Sequence, residues 1–239
     1  MNGNSMHWVN RLAALGLVVG LVAGLAAVGN AQSVGGQAYS TYVNTPLGYS
    51  GQSPLAVLPA VSGTDGATAD AEGSALNVAG ALSSDFLNSI TSGEIGTAET
   101  GAQSTASAAS VNILNGLITA DEVVANVMSS ASQGGAFSSA DGSTFTNLAI
   151  AGVGSLSGDS PIAPNTNISL PGVGYVVLNE QIPSGDGVSS SGLTVNMIHV
   201  YLQNLVGGIL NPLTGQIIGG TLQTTGEIIV GSATSTVAS

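Results

Sequence analysis

The chain's second half never runs far without a turn signal. Apolar stretches occupy residues 111–128, 143–154, 167–182, 192–210 and 215–237. Between them stand SQGGAFSSADGS, LSGDSPIAPNT and PSGDGVSSSG. Gly, Pro, Asp and Ser in such clusters set turn geometry. Strand-length apolar segments spaced by them point to an all-β fold, either an antiparallel β-sandwich or a barrel-like domain. The 35 glycines agree, because Gly weakens helices and serves turns. Aromatic residues make up 4% of the 239 residues against 44% apolar, so the core must be built from Val, Ile, Leu and Ala.

Residues 1–31 read as a secretory signal helix. A short polar start ends in Arg11, LAALGLVVGLVAGLAAV follows, and Gly29 and Ala31 offer small residues for cleavage before Gln32. The alternative is an uncleaved membrane anchor, with Gly16, Gly20 and Gly24 at helix-packing spacing. Residues 32–62, rich in Gly, Tyr, Ser and Pro, form an N-terminal extended segment, and 63–239 the β-rich domain. Tyr39, Tyr42 and Tyr49 sit in the first of these at a spacing that is neither helical nor alternating.

Charge excludes several functions. The chain holds one Lys or Arg, Arg11, and thirteen acids, all at or after Asp65. Nucleic-acid binding is excluded, since phosphate contacts need cations. A membrane is reached only through an uncleaved leader. There is no cysteine, so disulfides, thiolate catalysis and Cys-based zinc sites are absent.

The stretch GLITADEVVANVMSSAS (116–132) places Asp121 beside Glu122. Thr119 and Glu122 have capping-box spacing, which favours a helix over 118–131. The Val-rich run, Gly116 and the serine tail favour a strand. In either geometry adjacent side chains diverge, on a strand to opposite faces, so the pair does not converge on a substrate. In LTVNMIHVYL (193–202), strict alternation puts Leu193, Val195, Met197, His199 and Tyr201 on one face. It puts Thr194, Asn196, Ile198, Val200 and Leu202 on the other, in a central strand covered on both sides toward its end.

Four stretches in order carry a resemblance: VNILNGLITADEVVA (111–125), FTNLAIAG (145–152), APNTNISLPGVGYVVLNEQ (163–181) and LTVNMIHVYL (193–202). With them, residues 105–235 resemble the choice-of-anchor P family of exported bacterial surface proteins. The resemblance implies a secreted or cell-surface domain rich in β-structure and no particular activity, and it shifts 111–128 toward strand. The C-terminal GEIIVGSATSTVAS departs from the family's anchors, having no LPxTG-like signal, second apolar span or basic tail.

Candidate chemistry is sparse. His199 is the one histidine after the leader, and no G-x-S-x-G accompanies it. It reads as a strand histidine with a satisfied hydrogen bond rather than as a triad base. Asp65, Asp70 and Glu72, in an acidic Gly- and Ser-rich loop, are calcium candidates, because calcium takes several oxygens from flexible loops. No other cofactor is expected. Asp141, Asp159 and Asp186 serve turns. A glycosidase needs two carboxylates roughly 5–10 Å apart, for example Glu180 with Asp121. The expectation taken forward is a non-catalytic exported surface or matrix protein, adhesive or self-assembling, whose partners are copies of itself or cell-surface components. The alternative is a secreted carboxylate-dependent hydrolase. Cleaved before Gln32, the protein keeps no Lys or Arg, so prolonged trypsin treatment leaves its intact mass unchanged by mass spectrometry.

Overall fold

A computed structural model describes residues 33–61, 63–156, 162–211, 213–214 and 217–239. The expected leader and Asp159 lie outside the described residues. In chain order the strands are β1 (Ser33–Thr45), β2 (Gly48–Val57), β3 (Ala67–Val78), β4 (Leu82–Ile95), β5 (Glu99–Ile113), β6 (Ile118–Ser132), β7 (Gly135–Ser139) and β8 (Thr144–Thr146). They continue with β9 (Ala149–Ile150), β10 (Gly154–Ser155), β11 (Thr166–Leu170), β12 (Gly174–Gly185), β13 (Ser190–Val206), β14 (Ile209–Leu210), β15 (Ile217–Ile218) and β16 (Thr221–Ala238). A 3-10 turn at Gly63–Asp65 precedes β3, and no α-helix occurs among the described residues.

Two antiparallel sheets pack face to face. The six-stranded sheet runs β11-β12-β13-β16-β1-β2, and the eight-stranded sheet runs β10-β9-β6-β5-β4-β3, with β7 and β8 also on β6. The sheets stay separate, so the sandwich expectation holds and the closed barrel does not. The helical alternative for 118–131 is corrected, because β6 spans that stretch. Its branched Val side chains pack well on a pleated surface. Residues 33–57, expected to be extended, supply β1 and β2, and β1 lies inside the sheet between β16 and β2.

Strict alternation would send every second residue inward. The strands β4, β5 and β6 each break that count near their middles. In β6 the core residues are Ile118 and Ala120, then Val123, Ala125 and Val127. In β5 they are Ala106 and Ala108, then Val111 and Ile113. In β4 the buried residues are Leu82 and Ser84, then Leu87 and Ser89. The extra residue falls at Asp121–Glu122, Ala109–Ser110 and Asp85–Phe86, which are neighbours across the sheet because Ala109 pairs with both Asp85 and Glu122. Ser110 and Phe86 absorb the slip at φ 53° and 48°. Aligned bulges of this kind re-aim side chains without ending the ladder. They also correct the expectation for Asp121 and Glu122, which are both solvent-exposed rather than on opposite faces.

The six-stranded sheet slips at the matching level, with the extra residue on its inner side. In β13 the core takes Leu193, Val195 and Met197, then Ile198, Val200 and Leu202. Asn179 (φ 50°) of β12 and Gly231 (φ 68°) of β16 lie beside Met197. In β1, Ser40 and Thr41 are both fully buried. A Cβ on Gly231 would lie 3.0 Å from Val123 Cγ1, so the two slips stack through the core. One layer adds its residue outside and the other inside, which lets the stacked sheets change direction together. The expected faces of 193–202 are therefore wrong beyond Met197.

The slip also divides the core. On one side lie large aliphatics, including Ile113, Ile118, Leu148, Ile150, Leu178 and Ile228. Each contributes roughly 1.5–3 kcal/mol by burial. On the other side Ala, Gly, Ser and Thr dominate, and the sheets meet through hydroxyls. Ser129 and Ser235 Oγ atoms stand 2.6 Å apart, and Ser40 and Ser89 3.1 Å. Side chains this short meet only if the sheets approach more closely than the usual ~10 Å of aliphatic packing. There is no room for a methyl group at Gly36, whose Cβ would strike Thr91 Oγ1 and Ser104 Oγ.

The close approach makes a prediction. Gly36→Ala lowers unfolding free energy by about 1–3 kcal/mol, the usual effect of overpacking. Gly101→Ala, whose Cβ finds its nearest neighbour at an ordinary 3.6 Å, is neutral or slightly stabilising. Urea denaturation followed by circular dichroism compares the two.

Candidate functional site: a carboxylate–imidazole cluster on the six-stranded sheet

The slip puts polar residues on the outer face of β13. Thr194 and Asn196 precede it there and His199 and Tyr201 follow it, while Met197 and Ile198 both turn inward. Glu180 reaches the same face from β12, paired with Asn196, and Glu227 from β16, paired with Tyr201. Three neighbouring strands thus present one cluster.

His199 is its centre. Its Nδ1 lies 2.7 Å from Glu180 Oε2 and its Nε2 3.2 Å from Glu227 Oε2. An imidazolium donates to both carboxylates at once; a neutral ring donates to one. Glu180 also accepts from Asn196 Nδ2 at 2.7 Å and from the Tyr201 hydroxyl at 3.2 Å. Ser232 Oγ donates to Asn196 Oδ1 at 2.7 Å, which orients the amide. The Tyr201 ring stacks on His199 at 4.0 Å and on Tyr175 at 4.6 Å.

Proton affinities follow from these contacts. The hydrogen bond from His199 holds the Glu180 carboxyl below its ordinary value, helped by Asn196, by the charge of His199 and by Tyr201, against a contrary push from burial. Burial pushes the Tyr201 phenol up, and the neighbouring Glu180 charge adds to it, so the hydroxyl stays protonated and donates. Burial raises the Tyr39 phenol as well. His199 stands between the two acids with a nitrogen toward each, so the cluster ties β12, β13 and β16 together. Its nitrogens point away from one another, so the three groups do not converge on a metal.

The residues singled out from sequence lie elsewhere, apart from His199 and Glu180. Asp65 ends the 3-10 turn, whereas Asp70 and Glu72 belong to the edge strand β3 and point outward, two residues apart. The expected acidic loop is thus largely strand. Glu72 accepts from Asn88 Nδ2 at 3.4 Å. Among the described residues no group of three or more His, Cys, Asp or Glu is arranged to hold a metal ion. Asp121 accepts from Asn147 Nδ2 at 2.6 Å on the outer face of the eight-stranded sheet. Glu180 occupies the outer face of the other sheet, so the sandwich separates that pair. Asp186 closes the β12–β13 turn, accepting backbone N–H groups of Val188, Ser189 and Ser190 at 2.8–2.9 Å. The Ser189 hydroxyl, followed by these backbone bonds, holds its carboxyl well below the usual range.

Sequence reasoning missed Glu227, Asn196 and Tyr201. The available signal was the spacing Asn196, His199, Tyr201, in which a step of three interrupts steps of two.

The depressed Glu180 value fixes the sign of a pH effect. The unfolded chain takes up this proton first, near the ordinary value of 4.5, so the stabilisation is complete above that pH and is lost as pH falls through the lower folded value. Between pH 6 and 3, the melting temperature of Glu180→Gln therefore falls less steeply than that of the unmodified protein. Parallel slopes in thermal melts would remove Glu180 from the acid response.

No family model, no curated protein and no solved structure matches the chain.

Proposed function

We propose that this is a non-catalytic, exported protein of the cell surface or extracellular matrix, adhesive or self-assembling. One observation carries the reading: the imidazole of His199 fills the space between Glu180 and Glu227. A carboxylate hydrolase keeps that space for its substrate and water. Here it is occupied by a side chain that engages both acids, and the cluster lies on a sheet face. The resemblance of residues 105–235 to choice-of-anchor P proteins supports the same reading, as does a strongly apolar run followed by small residues at the N-terminus.

Self-association has its own support. Between Asp186 and Glu227 the chain has no acid. There the β13–β16 ribbon exposes Val206 and Leu222, and the β14–β15 hairpin exposes Ile209. This uncharged part can approach another acidic copy with least repulsion. Divalent cations would screen the remaining carboxylates, with Asp65, Asp70 and Glu72 as candidate contacts. Millimolar calcium is expected to raise light scattering or melting temperature relative to chelator. Superimposable curves would count against cation-assisted assembly. Fractionation of producing cells should place the mature protein in medium, envelope or matrix, and recovery from the cytoplasm would sink the exported reading.

A further inference from the structure

All five tyrosines of the chain lie on one surface, the outer face of the six-stranded sheet. Strand register shows this directly. Tyr49 pairs with Asn44, Asn44 with Glu227, Glu227 with Tyr201, and Tyr201 with Tyr175. These residues form one row across five strands. Tyr42 pairs with Ile229, which pairs with His199 in the adjoining row, and Tyr39 pairs with Ser232 in the next.

The row has aromatic ends and a polar middle. Tyr49 is 70% exposed and meets Tyr42 edge-on, with centroids 6.5 Å apart and planes at 84°, so a face of the Tyr49 ring is open to solvent. At the other end Tyr175 stacks on Tyr201. Between them Glu227 keeps a third of its side chain exposed and borders an open depression of about 330 Å³, lined also by Asn44, Thr224, Thr225 and Gly226. Tyr49 and Tyr201 are three strand spacings apart, roughly 14 Å.

We propose that this face binds a neutral, hydroxyl-rich polysaccharide chain lying across the strands, with Tyr49 and Tyr175 against sugar rings and Glu227 and Asn44 bonded to hydroxyls between them. The proposal rests on the non-catalytic surface reading and names that surface's ligand. Tyrosine offers a flat apolar ring and a polar tip at low entropic cost. That suits a ligand whose ring faces carry C–H groups and whose rim carries hydroxyls. The carboxylate accepts from hydroxyls, and the amide both donates and accepts. Charge selects among ligands. The described residues have no Lys or Arg, and the face holds Glu180 and Glu227, so uronic, sulfated and phosphorylated polymers meet only repulsion. A second acidic copy seated here would meet the same repulsion.

The test uses the full mature chain incubated with insoluble cellulose, curdlan or mannan, with chitosan and alginate as cationic and anionic comparators. Retention on at least one neutral polymer is expected. It should fall about tenfold in Tyr49→Ala/Tyr175→Ala, and remain unchanged in Met128→Ala, on the outer face of the opposite sheet. Thermal melts confirm that each variant is folded. If the double variant is not, Tyr49→Ala alone decides, since its exposed ring contributes little to the core. Three results overturn the proposal: no retention on any neutral polymer, retention on chitosan or alginate alone, or equal retention by a folded tyrosine variant. Reducing-sugar release is measured in parallel. Its appearance would overturn the non-catalytic reading while leaving polysaccharide binding in place, and absent retention with calcium-promoted assembly intact would do the reverse.

Discussion

Keeping branched aliphatic side chains between two sheets across a level where alternation slips by one residue is the constraint on which this structure depends. No cross-link relieves it, since the chain has no cysteine, and His199 is the one basic side chain among the described residues. Burial of Val, Ile, Leu and Ala, with hydrogen bonding, has to hold the sandwich. The slip therefore has to be shared. If β6 alone shifted at Asp121–Glu122, its ladder with β5 would lose register or its core residues would turn to water. Because β4, β5 and β6 shift together, and β12, β13 and β16 shift opposite them, every strand keeps its aliphatic face inward.

The same device creates the polar cluster. Met197 and Ile198 both turn inward, and the next outward residue is His199. Glu180 and Glu227 reach it from the flanking strands, so the fold's one ion-pair group among the described residues sits at its most central position in the sheet. A histidine bonded through both nitrogens adds to the backbone ladder and to the Asn196, Tyr201 and Ser232 side-chain bonds that already link these three strands. The hydroxyl contacts of Ser40, Ser89, Ser129 and Ser235 do comparable work inside, where side chains are too small to fill an aliphatic gap. Each nets roughly 1 kcal/mol, and more is lost when a buried partner is left unpaired.

Much of the architecture was legible in the amino-acid order, and the cluster was not. The turn cluster PSGDGVSSSG announced a hairpin, which its Asp186 holds, whereas SQGGAFSSADGS, read as a turn, also contains strand β7 on the edge of β6. The run at 111–128 was ambiguous because Thr119 and Glu122 imitate a helix cap. Tertiary pairing with β5 settled it, since an amphipathic pattern has no preferred partner until a second strand is present. The positions of Asp70 and Glu72 were misjudged for a related reason: small residues that suggest a loop also suit an edge strand paired with β4. Tyr39, Tyr42 and Tyr49 looked irregular because the slip at Ser40–Thr41 lies between the first two.

The amino-acid order by itself determined the composition of the core, the acidic surface, the places where strands must end and hence an all-β chain. Those follow from local chemistry: turn residues act within a few positions, and apolar side chains leave water wherever the strand lies. Which side of the sheet each polar residue occupies was decided only by the tertiary structure. A single extra residue reverses every later assignment on a strand with a period of two, and its placement depends on the neighbouring strands and on the opposing sheet, where Val123 meets Gly231.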